Sequence, residues 1–465
     1  MNTNTYQNFI ESKRFILESN GFEVDRSTLN DQAFSFQKDI VRWALAKGRA
    51  CIFADCGLGK TLMQLEWASK VHEYCGLNSS ILILAPLSVC EQTQREGEKF
   101  GYTVTICESQ EDVRPGINIT NYEKIQKFDC STFDGVVLDE SSILKSFTGK
   151  TRNLLVNSFC RTKFRLACTA TPAPNDYMEL GNHAEFLGVM GRNEMLAMFF
   201  VHDGGGSGDV HKWRLKRHAE NQFWQWRASW SVFIDNPANL GYEEGNYVLP
   251  KLNTIELVVK DGSETLAKTL TERRQARKNS IQDRCQKAAD LINNSHEQWL
   301  VWCGLNDESK LLASLIEDSK EIKGSDKEQY RTATMNSFLD GSLKCLVTKP
   351  SIAGYGMNLQ NCHNMIFVGL SDSFEQYYQA VRRCWRFGQK KEVNAYIVIS
   401  SSEGAVLENI ERKQEDYAHM REVMIDLTKE ITAKTLRQTC KMTTEYNPTK
   451  PMILPRWKEF RNACA

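Results

Sequence analysis

Short, unbroken apolar runs recur along most of the chain: 50–53, 80–85, 103–106, 117–120, 133–138 and 165–168, then again at 298–303, 343–348 and 365–368. Runs of this length that do not alternate with polar residues predict strands buried on both faces, the mark of a parallel sheet. Between them lie stretches with apolar residues three or four apart, such as Leu62 to Ala68, about 308–317 and 379–386, which predict helices. The two kinds of element alternate from about 30 to 190 and resume after about 293, which predicts two α/β units built in doubly wound fashion.

The stretch between them differs. Residues 203–209 form a glycine-rich loop. Basic and aromatic side chains then mix, with Lys212, Arg214, Lys216 and Arg217 followed by Phe223, Trp224, Trp226, Arg227 and Trp230. Interleaved cations and aromatics can follow a nucleic-acid backbone. Packing is the expected role of the tryptophans, which leaves Lys212 and Arg214 among the possible phosphate contacts. The segment 266–291 is helical and basic in its middle, a pattern that usually marks a solvated face. The resulting division is a helical extension at 1–30, with a short amphipathic helix over 5–19, then an α/β domain at 31–182 and a helical protrusion at 183–252. A helical linker at 253–292, a second α/β domain at 293–425 and a basic tail at 426–465 complete it.

The first candidate chemistry sits where the strand 50–53 meets the helix opening at Lys60. Ala54-Asp-Cys-Gly-Leu-Gly-Lys-Thr61 places glycines between a strand and a helix N-terminus. Gly57 and Gly59 let backbone N–H groups turn inward, the helix dipole favours an anion, and Lys60 supplies a point charge for phosphates. Thr61 offers a hydroxyl to Mg²⁺. This is a loop for a nucleoside triphosphate. Gln37, about 20 residues earlier, carries a donor and an acceptor suited to the edge of adenine. About 80 residues after the loop, the strand 133–138 delivers Asp139 and Glu140 to its carboxyl end. Consecutive strand residues face opposite ways. One carboxylate is therefore expected to hold Mg²⁺ and the other to activate a water. In the second unit Gln379, Arg383 and Arg386 fall on one helical face, and the arginines read as fingers reaching across a cleft to the triphosphate.

Composition narrows the partners. Lys+Arg 58 balance Asp+Glu 58, so any grip on a polyanion must come from local patches. The 15 cysteines contain no C-x-x-C pair and lie largely in apolar runs, which argues for reduced core thiols and against a zinc site or disulfide framework. No stretch approaches membrane-spanning length and the polar N-terminus does not read as a signal peptide, so a cytoplasmic protein is expected.

Taken in order, these stretches resemble the superfamily-two helicases, and among them the Swi/Snf-type duplex-DNA translocases, most closely their compact bacteriophage members. The resemblance covers about residues 30 to 415. It implies two tandem RecA-like domains with a helical insertion, ATP and Mg²⁺ as cofactors, and motion along double-stranded DNA. Gln37, Lys60 and Thr61 match the adenine-reading and phosphate motifs, and Asp139-Glu-Ser-Ser142 with Lys145 is similar to the acidic box. Thr169-Ala-Thr-Pro172 with Asn175 resembles the Thr-Gly-Thr-Pro-x-x-Asn motif. Gly354 to Leu359, with Gly356 near the nucleotide, and Gln379 to Gln389 look like the fifth and sixth motifs. By the same likeness Ser88, Thr120, Lys145, Thr169, Thr171, Thr348 and Asn358 would touch the DNA backbone. Ser142 departs from the family's histidine or glutamine, at a position that couples hydrolysis to the Thr-x-Thr segment. A strand-separating DNA or RNA helicase shares these motifs, and an ATP-gated clamp or loader is a rival of another class.

Overall fold

The computed structural model describes residues 20–437, apart from 147, 175, 204–211, 244–246, 261–268, 354–357, 372 and 402–403. The expected helix at 5–19 and the tail from 438 onward lie outside the described residues, as do Gly356 and Asn175.

Two parallel sheets carry the fold. The first half runs α1 (Ser35–Lys47), β1 (Arg49–Ala54), α2 (Lys60–Cys75), β2 (Ser80–Ala85), α3 (Cys90–Phe100), β3 (Val104–Ile106), β4 (Gly116–Asn121), β5 (Gly135–Asp139), α4 (Lys150–Ser158) and β6 (Phe164–Thr169). It continues through α5 (Leu180–Leu187), α6 (Arg192–Phe199), the strands β7 (Phe200–Asp203) and β8 (Lys212–Leu215), α7 (Glu220–Trp230) and β9 (Ser231–Ile234). These give a seven-stranded sheet ordered β3-β4-β2-β5-β6-β1-β9, while β7 and β8 pair by themselves as an antiparallel hairpin. The sheet is covered on both faces, and from Ala50 to Ala54 and from Phe164 to Thr169 every residue is buried. That is why these strands read as unbroken apolar runs.

The second half runs β10 (Leu252–Val259), α8 (Leu270–Asn279), α9 (Ile281–Asn293), β11 (Trp299–Cys303), α10 (Asn306–Leu315), β12 (Ser319–Glu321), α11 (Glu328–Leu339) and β13 (Cys345–Thr348). After these come α12 (Pro350–Ala353), β14 (Asn364–Val368), α13 (Phe374–Cys384), β15 (Val393–Ser400) and the long α14 (Gly404–Arg437). The sheet order is β10-β15-β14-β11-β13-β12, all parallel. The fold is two tandem RecA-like domains, and helices α5 to α7 form the insertion after the first.

Three boundaries differ from the sequence expectation. The protrusion at 183–252 does not stand apart, because β9 adds to the edge of the first sheet in parallel register with β1 (Cys51 opposite Ser231). Trp224, Trp226 and Trp230 are buried in the same apolar cluster, so they serve packing. The linker at 253–292 is not purely helical. Its start is β10, whose alternating pattern suits an edge strand exposed on one face, and it pairs with β15 over its whole length. Within it Arg274 and Lys278 are exposed, as a solvated basic face requires, while Arg284 is buried in an ion pair with Glu308 at 2.7 Å. Finally, α14 runs well past 426 and returns to the first domain, where Leu436 is buried in its core.

The described cysteines are free thiols. Among the described residues no helix is long and apolar enough to cross a membrane.

Candidate nucleotide site

Gly57, Gly59, Lys60 and Thr61 follow the carboxyl end of β1, and Asp139 and Glu140 lie at that of β5. Gly57 and Gly59 both have positive φ, +90° and +75°, conformations that a side chain disfavours. Gly59 has a second constraint, since a Cβ there would overlap Gln37 Nε2. Gln37 is buried against the loop, donating from Nε2 to the Leu58 carbonyl (3.0 Å) and accepting at Oε1 from the Phe34 N–H (2.8 Å). Its amide is thus oriented by the loop itself. The Lys60 ammonium donates to the carbonyls of Ala54 (2.8 Å) and Asp55 (3.3 Å), while Thr61 opens α2 half-buried.

The acidic pair is arranged by a turn rather than by strand alternation. β5 stops at Asp139, and Glu140 has φ +56°, a left-handed conformation that costs about 1–3 kcal/mol in a residue with a side chain. The two carboxylates therefore separate because the chain reverses, whereas alternation along a strand was expected. Asp139 Oδ1 accepts from Gln64 Nε2 at 2.7 Å, and its carbonyl accepts from the Tyr122 hydroxyl at 2.7 Å. Glu140 Oε1 accepts from the Thr169 hydroxyl at 2.5 Å and the Ser142 hydroxyl at 3.3 Å. Ser142 is the departure from the family pattern, yet it meets Thr169 on the same carboxylate oxygen. Loss of water raises the pKa of both acids, opposed at Asp139 by Gln64 and Lys60 and at Glu140 by Lys60 and Thr169.

Across the cleft, α13 lies directly on the phosphate loop. The Arg382 guanidinium pairs with Asp55 (2.9 Å) and donates to the Cys56 carbonyl (3.0 Å). The Tyr378 hydroxyl donates to Asp55 at 2.6 Å, and Arg421 of α14 approaches the same carboxylate at 4.0 Å while bonding Asp235 at 2.7 Å. Burial pushes the Asp55 carboxyl upward, but Arg382, Arg421 and the hydrogen bonds outweigh it and hold the pKa below the ordinary value. Lys145 of the acidic box pairs with Glu375 of α13. From α14 the Tyr417 hydroxyl donates to the Ala170 carbonyl, beside Thr169, at 2.7 Å.

Asp55, Glu375, Tyr378, Arg382, Tyr417 and Arg421 were not singled out from sequence. Asp55 lies inside the loop motif and Arg382 beside an expected finger, but their partnership joins positions far apart in the chain. Replacing Asp55 by alanine leaves Arg382 buried without its carboxylate, a loss of about 3–5 kcal/mol for a broken buried pair. The check is thermal or denaturant unfolding of the full chain. Because the Asp55 pKa is depressed, its contribution is present above the ordinary carboxylate value of about 4 and is lost as pH falls through the lowered one.

The expected fingers are placed unequally. α13 ends at Cys384, so Arg386 lies past the helix rather than one turn along it. Arg383 bonds back to Gln379, through Nε to its carbonyl (3.0 Å) and through Nη2 to its side chain (2.9 Å). Burial, with the neighbouring Arg383 charge, pushes the Arg386 pKa down to about 10. A guanidinium whose charge is disfavoured by burial and by a like charge gains from an arriving anion. Gln379 Nε2 is buried and has no hydrogen-bond partner among the described residues, although its Oε1 lies 3.8 Å from the Cys56 thiol of the loop. This orphan donor beside the phosphate loop, together with Lys60 and the helix N-terminus, fits a triphosphate. Thr61 and Asp139 offer a hydroxyl and a carboxylate oxygen, the hard donors that fit Mg²⁺.

The expected DNA contacts divide by exposure. Thr120, Thr169, Thr171 and Thr348 are buried and present no surface to a backbone in this arrangement. The Thr169 hydroxyl is committed to Glu140, and that of Thr348 to the Ile322 carbonyl at 3.2 Å. Arg214 and Asn358 are exposed. The backbones of Ser88 and Lys212 lie in the turn after β2 and in β8, and their side chains are outside the described residues.

Residues 36–195 match an SNF2-related domain and residues 283–388 a helicase conserved C-terminal domain. No curated protein sequence matches the chain. Among solved structures it is similar to the ATP-dependent Type ISP restriction-modification enzyme LlaBIII bound to DNA, with a TM-score of 0.55 and 13% identity. That match covers 89% of this chain and 33% of the enzyme, so the chain spans about a third of it. It also matches the Sulfolobus solfataricus SWI2/SNF2 ATPase core in complex with dsDNA, at 18% identity and a TM-score of 0.42, covering 90% of this chain and 97% of that one. An SNF2-related domain followed by a helicase C-terminal domain, on two tandem RecA-like sheets, places this chain in the Swi/Snf-type family of superfamily-two ATPases.

Proposed function

We propose that the chain is a DNA-dependent ATPase that translocates along duplex DNA without separating its strands. The single observation that carries this reading is the seating of α13 on the phosphate loop, through Arg382, Tyr378 and Gln379. One nucleotide site is then shared by two domains, and a change at the triphosphate must alter how they meet. Lys60 would hold the phosphates, Thr61 and Asp139 would hold Mg²⁺, which would neutralise phosphate charge, and Glu140 would take the proton of the attacking water. Arg386, with Arg383, meets the negative charge that develops on the transferred group. Tyr417 and Thr169 tie the same site to α14 and to the acidic box, so each closure has a mechanical path to both halves.

Lys60→Ala is expected to lower turnover about 100- to 1,000-fold, the size of one lost transition-state contact, with DNA affinity little changed. Steady-state hydrolysis and a gel-shift on duplex check this. Full turnover at saturating ATP would mean that another loop is catalytic.

The track is tested by stimulation. Duplex DNA should raise the ATPase rate more than single strands or RNA, and the chain should displace a triplex strand from a long blunt duplex while leaving a tailed duplex paired. Unwinding of the tailed duplex without triplex displacement would make the chain a strand-separating helicase. With zero net charge, binding should rest on local patches of cations, and the slope of its fall between about 50 and 200 mM salt should scale with the number of phosphates they neutralise.

A further inference from the structure

The turn that carries Glu140 is gripped by a helix from outside the acidic box. Glu140 takes its left-handed backbone at the end of β5, and a short 3₁₀ helix, Ser141–Lys145, follows at once. Against it lies the start of α5, which comes after the Thr169–Pro172 segment in the chain. Asn182 donates from Nδ2 to the carbonyls of Leu144 (2.8 Å) and Lys145 (3.2 Å). His183 Nε2 lies 3.1 Å from the Ser141 hydroxyl. Ser141, Asn182 and His183 are all buried, the serine and the histidine completely.

The partners of the imidazole fix its form. Its Nδ1 faces the Glu179 carbonyl at 3.4 Å, which can only accept, so Nδ1 carries the proton. Burial pushes the His183 pKa down to about 4, so the ring is neutral at pH 7. Nε2 is then a bare acceptor, and the Ser141 hydroxyl donates to it. Phe53 of β1 packs edge-on against the ring, with centroids 5.3 Å apart. Helix α5 is anchored in turn by the ion pair of Glu185 with Arg152 of α4. A left-handed residue with a side chain persists where its surroundings over-determine it. Here His183 holds the residue after Glu140, and Asn182 holds the far end of the turn. The Ser142 hydroxyl reaches back to the Glu140 carboxylate at 3.3 Å.

We propose that His183 is a positioning residue for hydrolysis, acting through Ser141 to hold Glu140 where it meets the attacking water. The inference rests on the reading of Glu140 as the base and deepens it by naming what keeps that base in place. Being completely buried, the ring takes no proton in the reaction. Its contribution is geometry.

Single-turnover hydrolysis and equilibrium ATP binding test this on the full chain, in wild type, His183→Leu, His183→Gln and Ser141→Ala, each also combined with Glu140→Gln. His183→Leu should slow hydrolysis about tenfold, the worth of one well-placed hydrogen bond, with ATP affinity within about twofold of the parent. Glutamine, whose amide oxygen can stand where Nε2 stood, should recover most of the rate. Ser141→Ala is a smaller change that should match the leucine variant, and it remains informative if that variant does not fold. In the Glu140→Gln background His183→Leu should cost no further rate, since the base it positions is already gone. The same loss in that background, or an ATP affinity that falls as much as the rate, would make His183 a packing residue and overturn the proposal. So would an unchanged rate in both His183→Leu and Ser141→Ala. If Glu140→Gln alone hydrolyses at the parental rate, the base reading falls and the inference with it.

Discussion

Arg386→Ala should bind ATP nearly as well as the parent chain and hydrolyse it about 10³- to 10⁵-fold more slowly, the range found for arginines that complete a phosphoryl-transfer site. The reason lies in its surroundings. Burial, and after it the Arg383 charge, holds its pKa down to about 10. A triphosphate entering between the domains relieves this cost, and most so when charge builds on the transferred group. Ground-state affinity is set mainly by Lys60 and the loop, so it should survive. Arg386→Lys should not restore the rate, because a point charge lacks the planar fork of a guanidinium. Single-turnover hydrolysis beside equilibrium ATP binding separates the two effects. A rate within tenfold of the parent would remove Arg386 from catalysis and leave Arg383 or Arg382 as the only basic candidates named on this side of the cleft.

Glu140→Gln is expected to slow hydrolysis about 10²- to 10⁴-fold, the usual contribution of a general base, with ATP and Mg²⁺ still bound. The amide keeps the side chain's shape and cannot take the proton. Burial raises the Glu140 pKa, and the Thr169 hydroxyl, donating to the charged form, lowers it. The base must be ionised to act, so activity should fall on the acid side at a pH above the ordinary glutamate value. Thr169→Val removes a bond to the ionised form, raises the pKa further and should move that acid limb to still higher pH. Asp139→Asn should instead raise the Mg²⁺ concentration needed for half-maximal rate. Equal loss of Mg²⁺ affinity in Asp139→Asn and Glu140→Gln would show that the two carboxylates share one role.

How the two acids divide their work illustrates what sequence reasoning reaches. Their presence at the end of a buried strand, downstream of a phosphate loop, follows from local pattern alone. Their separation does not, because it depends on the left-handed turn at Glu140, and Thr169 and Ser142, which share its carboxylate oxygen, stabilise that end of the chain. The threonines show the same limit from the other side. By the family likeness they were expected at DNA, and close packing at the carboxyl ends of interior strands buries them.

By itself the sequence determined the parallel strands, the phosphate loop and the chemical types around it, because those depend on contiguous runs: strand burial on both faces, glycine conformation, a helix N-terminus. It also carried the expectation that the tryptophans of α7 pack, since large apolar rings at helical spacing seek a core. Only the tertiary structure decided that β9 rejoins the first sheet and that β10 begins the second, since an edge strand is defined by its neighbour and carries weak pattern of its own. The same holds for Asp55, Arg382 and Arg421. An ion pair is a match between distant positions, and nothing in the local spacing of a carboxylate near residue 55 announces guanidiniums from residues 382 and 421. Local chemistry is written along the chain, whereas the partners that tune it are chosen by folding.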